Sequence, residues 1–222
     1  MHSKRTPWRD WLRLSALGAL LLAMPPAHGG DINEAAFAAL TSHDAACRDL
    51  LARRTIRVHS RGVIHMDFAV ALDLLRNDSF IDRIQEAYAA SLPEGQTPEF
   101  VITPVAGERT WSFVNRHGQH SRIDEVARVV TEQGQLRVAI HASGARFFGR
   151  FESLTLIEAW AGDDGSACYV VLVHAWPQGA LPRFFIRRLG LVERFFRDKT
   201  REIESLGAQI GRRLVTGREE NR

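Results

Sequence analysis

A chain of 222 residues has room for one domain of ordinary size with appendages. Hydrophobic residues make up 45% and charged residues 25% of it, globular values that exclude a disordered, collagen-like or multi-span membrane protein. The formal charge of +3 suggests a basic protein, but all of that excess lies before residue 30.

There, Lys4, Arg5, Arg9 and Arg13 precede the apolar run Leu14–Met24, which is followed by Pro25, Pro26 and the small-residue sequence Ala27-His28-Gly29. This is the order of a secretory signal peptide. Roughly 11 mostly apolar residues fall short of the about 20 needed to span a bilayer core, so cleavage after Gly29 and a periplasmic location are expected. No twin arginine and no lipoprotein cysteine accompanies the run. Removing residues 1–29 takes away four of the 29 basic residues and one of the 26 acids, which leaves the two signs in balance. A nucleic-acid binder normally keeps a positive excess, so no nucleic-acid partner is expected.

In the remaining chain, residues 30–54 form an N-terminal appendage, where Phe37, Leu40, Ala45 and Leu50 recur at near-helical spacing and predict one or two short helices. Thr55 to Met66 is rich in β-branched residues and reads as a strand interrupted at Gly62. Asp67 then caps a helix carrying Val70, Leu72, Leu74 and Leu75, and a second helical stretch follows Asp78-Ser79. Six strand-like runs follow, namely Phe100 to Val105, Thr110 to Val114, Ile123 to Glu132, Leu136 to His141, Phe151 to Trp160 and Cys168 to Trp176. The separators Ala106-Gly107, His117-Gly118, Gln133-Gly134, Ser143-Gly144 and Asp163-Asp164-Gly165 are hairpin signals, so the runs predict an antiparallel meander. After Pro177 and Pro182, residues Phe185, Leu189, Val192, Phe196, Ile203, Leu206, Ile210 and Leu214 form one apolar stripe on a predicted helix of about 30 residues. A polar tail, 217–222, ends the chain.

This order resembles that of the START-like, or SRPBCC, helix-grip superfamily. Val63 to Asp78 (VIHMDFAVALDLLRND) is similar to the family's opening strand and short helix, and Gly149 to Trp160 (GRFESLTLIEAW) to a late sheet strand. The resemblance covers Thr55 to Val215 and implies an α+β domain over 55–216, in which a curved antiparallel sheet grips a long C-terminal helix around an apolar cavity. It implies no cofactor and no shared catalytic residue. The function it suggests is that of an exported binding or carrier protein for a lipid or other hydrophobic small molecule. Phe100, Trp111, Val138, Ile140, Phe196 and Ile203 are the expected lining. A cyclase- or dehydratase-type enzyme of the same fold and a non-catalytic envelope interaction protein with a filled core are the alternatives.

Candidate chemistry is sparse. His117 and His120 flank a turn and could hold a ligand if Asp124 and Glu125 came back to them, although two histidines alone make no closed metal site. Leu136, Val138 and Ile140 share a strand face, so alternation sends His141 and Arg137 to the opposite face, expected to be wet. His174 reads as a core histidine or an acid/base, and Glu158 as a solvated outward carboxylate or a cavity-facing one with a shifted pKa. Cys47 and Cys168 either pair, which would stabilise by about 4–5 kcal/mol on the chain-entropy model, or remain two buried thiols. No metal is implied, because the sequence has no C-x-x-C and no Cys/His cluster. Between Arg183 and Arg201, seven basic residues face two acids among many apolar side chains. Such a segment can dock at an anionic membrane through Phe184, Phe185, Arg187 and Arg188, or be a core helix with solvated arginines.

Overall fold

The computed structural model describes residues 31–53, 55–76, 85–86, 88–90, 92–98, 100–105, 109–115, 117–146 and 149–178, with single positions 194, 198, 201 and 205. Two short helices open the described chain, α1 (Glu34–Leu40) and α2 (Ala45–Ala52). Asn33 Oδ1 accepts from the Ala36 N–H at 3.1 Å and Asp44 Oδ1 from the Cys47 N–H at 2.8 Å, so each helix begins on a side chain that satisfies an orphan amide. Strand β1 (Ile56–Asp67) runs directly into α3 (Phe68–Arg76), whose entry is fixed by Asp67 Oδ1 accepting from the Ala69 N–H at 2.7 Å.

The predicted meander then follows as β2 (Phe100–Pro104), β3 (Thr110–Asn115), β4 (His120–Val130), β5 (Leu136–Arg146), β6 (Gly149–Ala161) and β7 (Ser166–Pro177). Gly118, Gly134 and Gly165 sit in the β3–β4, β4–β5 and β6–β7 turns with positive φ, a conformation that a side chain would strain. Each strand pairs antiparallel with the next, and β1 returns beside the last one, giving the order β1-β7-β6-β5-β4-β3-β2.

Register assigns the side chains to two faces. On the first, Val58 lies opposite Val173, Val173 opposite Thr155, and Thr155 opposite Ile140. This face carries a cluster of Val58, Leu136, Val138, Tyr169 and Val171 against Phe68 and Ala71 of α3 and Tyr88. On the second, Ala139, Leu154, Leu156, Val170 and Leu172 pack against Phe37, Cys47 and Leu50 of α1 and α2. The N-terminal helices therefore form one wall of the core.

The expected sheet curved around a long C-terminal helix is corrected: among the described residues the architecture is an open seven-stranded antiparallel sheet with few, short helices. The physical reason lies in β6 and β7, whose apolar side chains point both ways and are buried by short elements on each side. Most of the segment expected to form the long helix lies outside the described residues, Phe184, Phe185, Arg187, Arg188, Phe196 and Ile203 among it; Arg194, Asp198, Arg201 and Ser205 are helical. Residues 1–30, with the expected signal peptide, also lie outside them. No helix among the described residues is long and apolar enough to cross a membrane.

Phe37 is fully buried, and a Phe37→Ala protein is expected to lose about 3–5 kcal/mol of stability in urea unfolding. A loss below about 1 kcal/mol would mean that the helix pair decorates the sheet without completing its core.

Candidate functional site

The α3 face extends beyond α3 itself. Ile102 lies opposite Phe113, Trp111 opposite Ile123, Ile123 opposite Ala142, and Val138 opposite Ile157, so the apolar face continues across five strands. Tyr88 stacks on Phe100 with ring centroids 4.4 Å apart, and Phe100 on Phe113 at 5.0 Å. Such stacks add about 0.5–1.5 kcal/mol each beyond area burial and fix the rings in place. Phe100, Ile102, Phe113, Ile123, Ile140 and Ile157 nevertheless keep part of their surface accessible. Of the expected lining, Phe100, Trp111, Val138 and Ile140 share this face, with Trp111 and Val138 each only 6% exposed; Phe196 and Ile203 lie outside the described residues.

One charged pair interrupts the apolar surface. Residues three apart on a regular strand point to opposite faces, but the register of β4 shifts between Glu125 and Ala127, so Glu125 opposes Ile140 while Arg128 opposes Val138. The bulge thereby brings both side chains to the α3 face, where they form an ion pair with side-chain exposures of 5% and 12%. Arg109 Nη1 reaches the same carboxylate at 2.9 Å from the rim. A buried pair of this kind is costly to desolvate and strongly destabilising to break. In an apolar site it is also the kind of fixed polar group that orients an amphipathic ligand. Alternation alone could not reveal it, because a bulge leaves no reliable mark in the sequence.

The other sequence candidates do not join this site. His117 and His120 are exposed near the β3–β4 turn, which Asn115 organises by accepting from the His117 and Gln119 amides at 3.0 and 2.9 Å. Asp124 points to the opposite face from Glu125, where it accepts from Thr110 Oγ1 at 2.7 Å and Arg122 Nε at 2.8 Å. The four do not converge, and no metal-binding cluster exists among the described residues.

His174 and Glu158 lie on the face covered by α1 and α2. His174 is 3% exposed, with Nδ1 2.9 Å from Thr55 Oγ1 and Nε2 3.3 Å from a carboxylate oxygen of Glu34. Burial, aided by the Arg57 charge, pushes its pKa below the ordinary 6.5 and outweighs the opposing pull of Glu34. Glu158 is 8% exposed and accepts from Arg137 Nε at 2.8 Å, so it is neither solvated nor on the side expected to hold a cavity. The expectation of a wet environment for His141 and Arg137 is likewise corrected, since α2 and its neighbours cover that face and His141 Nε2 is buried.

Both cysteines are free and buried. Asp44 illustrates the local field: burial disfavours its charge, but the Cys47 amide and the nearby His141 more than compensate and hold its carboxyl below the usual 3.8. Burial, followed by the Asp44 charge, pushes the Cys47 thiol up to about 12.

No family model matches the chain, and no curated protein matches it. Among solved structures, it is similar to a conserved protein from Geobacillus kaustophilus, at 10% identity and a TM-score of 0.47 over 69% of this chain and 96% of that one. A hypothetical protein from Helicobacter pylori matches at 9% identity and a TM-score of 0.47, covering 74% of this chain and 93% of the other. An uncharacterized protein from Rhizobium leguminosarum matches at 16% identity and a TM-score of 0.36, covering 70% and 99%.

Two measurements follow from the α1–α2 face. A thiol assay with an aromatic disulfide reagent and no reductant is expected to find both cysteines unreactive in the native protein and both reactive in denaturant; a bridged pair would stay unreactive in denaturant as well. For His174 the unfolded chain binds the proton more readily than the folded one, so stability falls as pH drops below about 6.5 and levels off below the lower folded pKa. In urea unfolding from about pH 7.5 to about 5, His174→Gln should flatten that part of the curve, and an unchanged slope would show that this histidine does not carry it.

Proposed function

We propose that the protein is an exported, periplasmic binding or carrier protein that holds a hydrophobic small molecule or lipid against the α3 face of its sheet. The observation that carries this reading is the continuous run of half-buried apolar side chains, Phe100, Ile102, Phe113, Ile123, Ile140 and Ile157, left partly accessible beside a well-packed cluster. A packed core buries such residues outright, as it does Leu136 and Leu154. A ligand of apolar surface would complete their burial at about 25 cal/mol per Å2, and the Glu125–Arg128 pair would meet its polar end.

The resemblance to the START-like superfamily belongs to this proposal, supported by the order of opening strand, helical segment and antiparallel meander. Peripheral contact with a membrane belongs to it as well, supported by the basic and aromatic composition of Arg183 to Arg201. The acid/base alternative loses its two candidates, because His174 and Glu158 point away from the apolar face.

The test is mass spectrometry of protein purified without detergent, comparing native and solvent-extracted samples, followed by titration with the neutral fluorescent probe N-phenyl-1-naphthylamine. A stoichiometric apolar adduct, and probe binding weakened about tenfold or more in a folded Phe113→Ala, Ile123→Ala protein, are the expected results, since each large-to-small change removes roughly 1.5–3 kcal/mol of burial. Absence of both adduct and probe binding would favour a filled structural domain.

A further inference from the structure

The opposite face of the sheet carries a concavity of its own. Beside α1 and α2, a cleft of about 480 Å3 opens over β3 to β6, within the range of roughly 300–1,000 Å3 typical of small-molecule sites. Its lining includes one register row in which Ser112 opposes Arg122, Arg122 opposes Ser143, and Ser143 opposes Glu152, and the neighbouring row of Ser121, Gly144 and Phe151. His120 and Arg150 line the same cleft.

The charges in this cleft do not balance internally. Asp124, next to the row, is engaged by Arg122 Nε at 2.8 and 3.0 Å and by Thr110 Oγ1. Glu152 accepts from Gln178 Nε2 at 2.9 Å and lies 3.8 Å from Arg53, the residue that closes α2. Both carboxylates are therefore already partnered. Arg150 is exposed, and no described carboxylate pairs with it. Among the residues that line the cleft, Arg122 and Arg150 thus face one carboxylate, Glu152, with His120 at the margin and serine hydroxyls in the lining. Guanidinium forks with nearby hydroxyl donors match the geometry of a tetrahedral or planar oxyanion.

We propose that this cleft is a binding site for a phosphate-type oxyanion, carried either by a small soluble molecule or by a lipid headgroup, with Arg150 as its principal charge contact. The polar row of the cleft faces away from the apolar site, because Ser112 and Arg122 point away from the face that presents Phe113 and Ile123, while Trp111 borders both. Binding is driven by charge pairing and is weakened by salt.

The test uses the full chain at low ionic strength. Calorimetric titration with sn-glycerol 3-phosphate and with inorganic phosphate probes the soluble source. Co-sedimentation with phosphatidylcholine vesicles, with and without phosphatidic acid, probes the headgroup. Saturable binding in the first arm identifies a soluble ligand, and binding confined to the phosphatidic acid vesicles identifies a headgroup. In either case Arg150→Ala should weaken binding at least tenfold and Arg150→Lys less. Phe113→Ala should leave it unchanged, which keeps the result distinct from failure of the apolar site. Absence of binding in both arms, or binding that survives Arg150→Ala, overturns the proposal, and so does binding lost in Phe113→Ala.

Discussion

The constraint on which this structure depends is that its seventh strand has no wet face. In β7 nearly every residue from Ala167 to Ala175 is buried, so both sides of the strand must be covered. Antiparallel sheets commonly leave one face to solvent; this sheet does not, at its β6–β7 centre. The two coverings come from different parts of the chain, α3 with Tyr88 on one side and the helix pair α1–α2 on the other. Once β7 is held from both sides, β1 can pair with it along ten register positions and the meander can extend outward from it.

Much of this was legible in the sequence. The turn glycines and the β-branched runs gave the meander in the right order, since hairpin chemistry is local and depends on few residues. The cap residue Asp67 marks a real helix start for the same reason, whereas Gly144, expected in a turn, lies within β5. What failed was the inference of what covers each face. Alternation correctly separates His141 from Val138 and Ile140, but it says nothing of what packs over a face, and an N-terminal segment read as an appendage supplies that cover. The uninterrupted apolar run YVVLVHAW was the available signal, because a strand with one wet side alternates and this one does not. The helix-grip expectation took its cover from the C-terminal stripe instead, a period that any well-packed helix shares.

The charged groups of the two candidate sites were less accessible still. Glu125 and Arg128 share a face only because β4 slips by one residue between them, and a one-residue slip moves side chains to the other side of a sheet. The cleft residues Ser112, Arg122, Ser143 and Glu152 come from four strands and meet only through their register. No spacing along the chain encodes such a row. By contrast, the apolar residues Phe100, Trp111, Val138 and Ile140 could be chosen from composition, since large apolar side chains in a meander gather on the side that excludes water.

The two candidate sites draw on opposite faces of the same strands. Adjacent residues of one strand serve opposite sites: Ser112 and Phe113 on β3, Arg122 and Ile123 on β4. Substitutions that share no partners act nearly additively, so side-chain changes in the cleft should leave the apolar face intact, while a change in strand register would disturb both. The close approach at Gly144 makes such a register change costly: a Cβ there would lie 2.1 Å from Ser121 Oγ and 2.6 Å from the His120 carbonyl oxygen. That close approach requires glycine where β5 passes Ser121 of β4. Register thus decides which side chains each face presents, and a one-residue slip would exchange them.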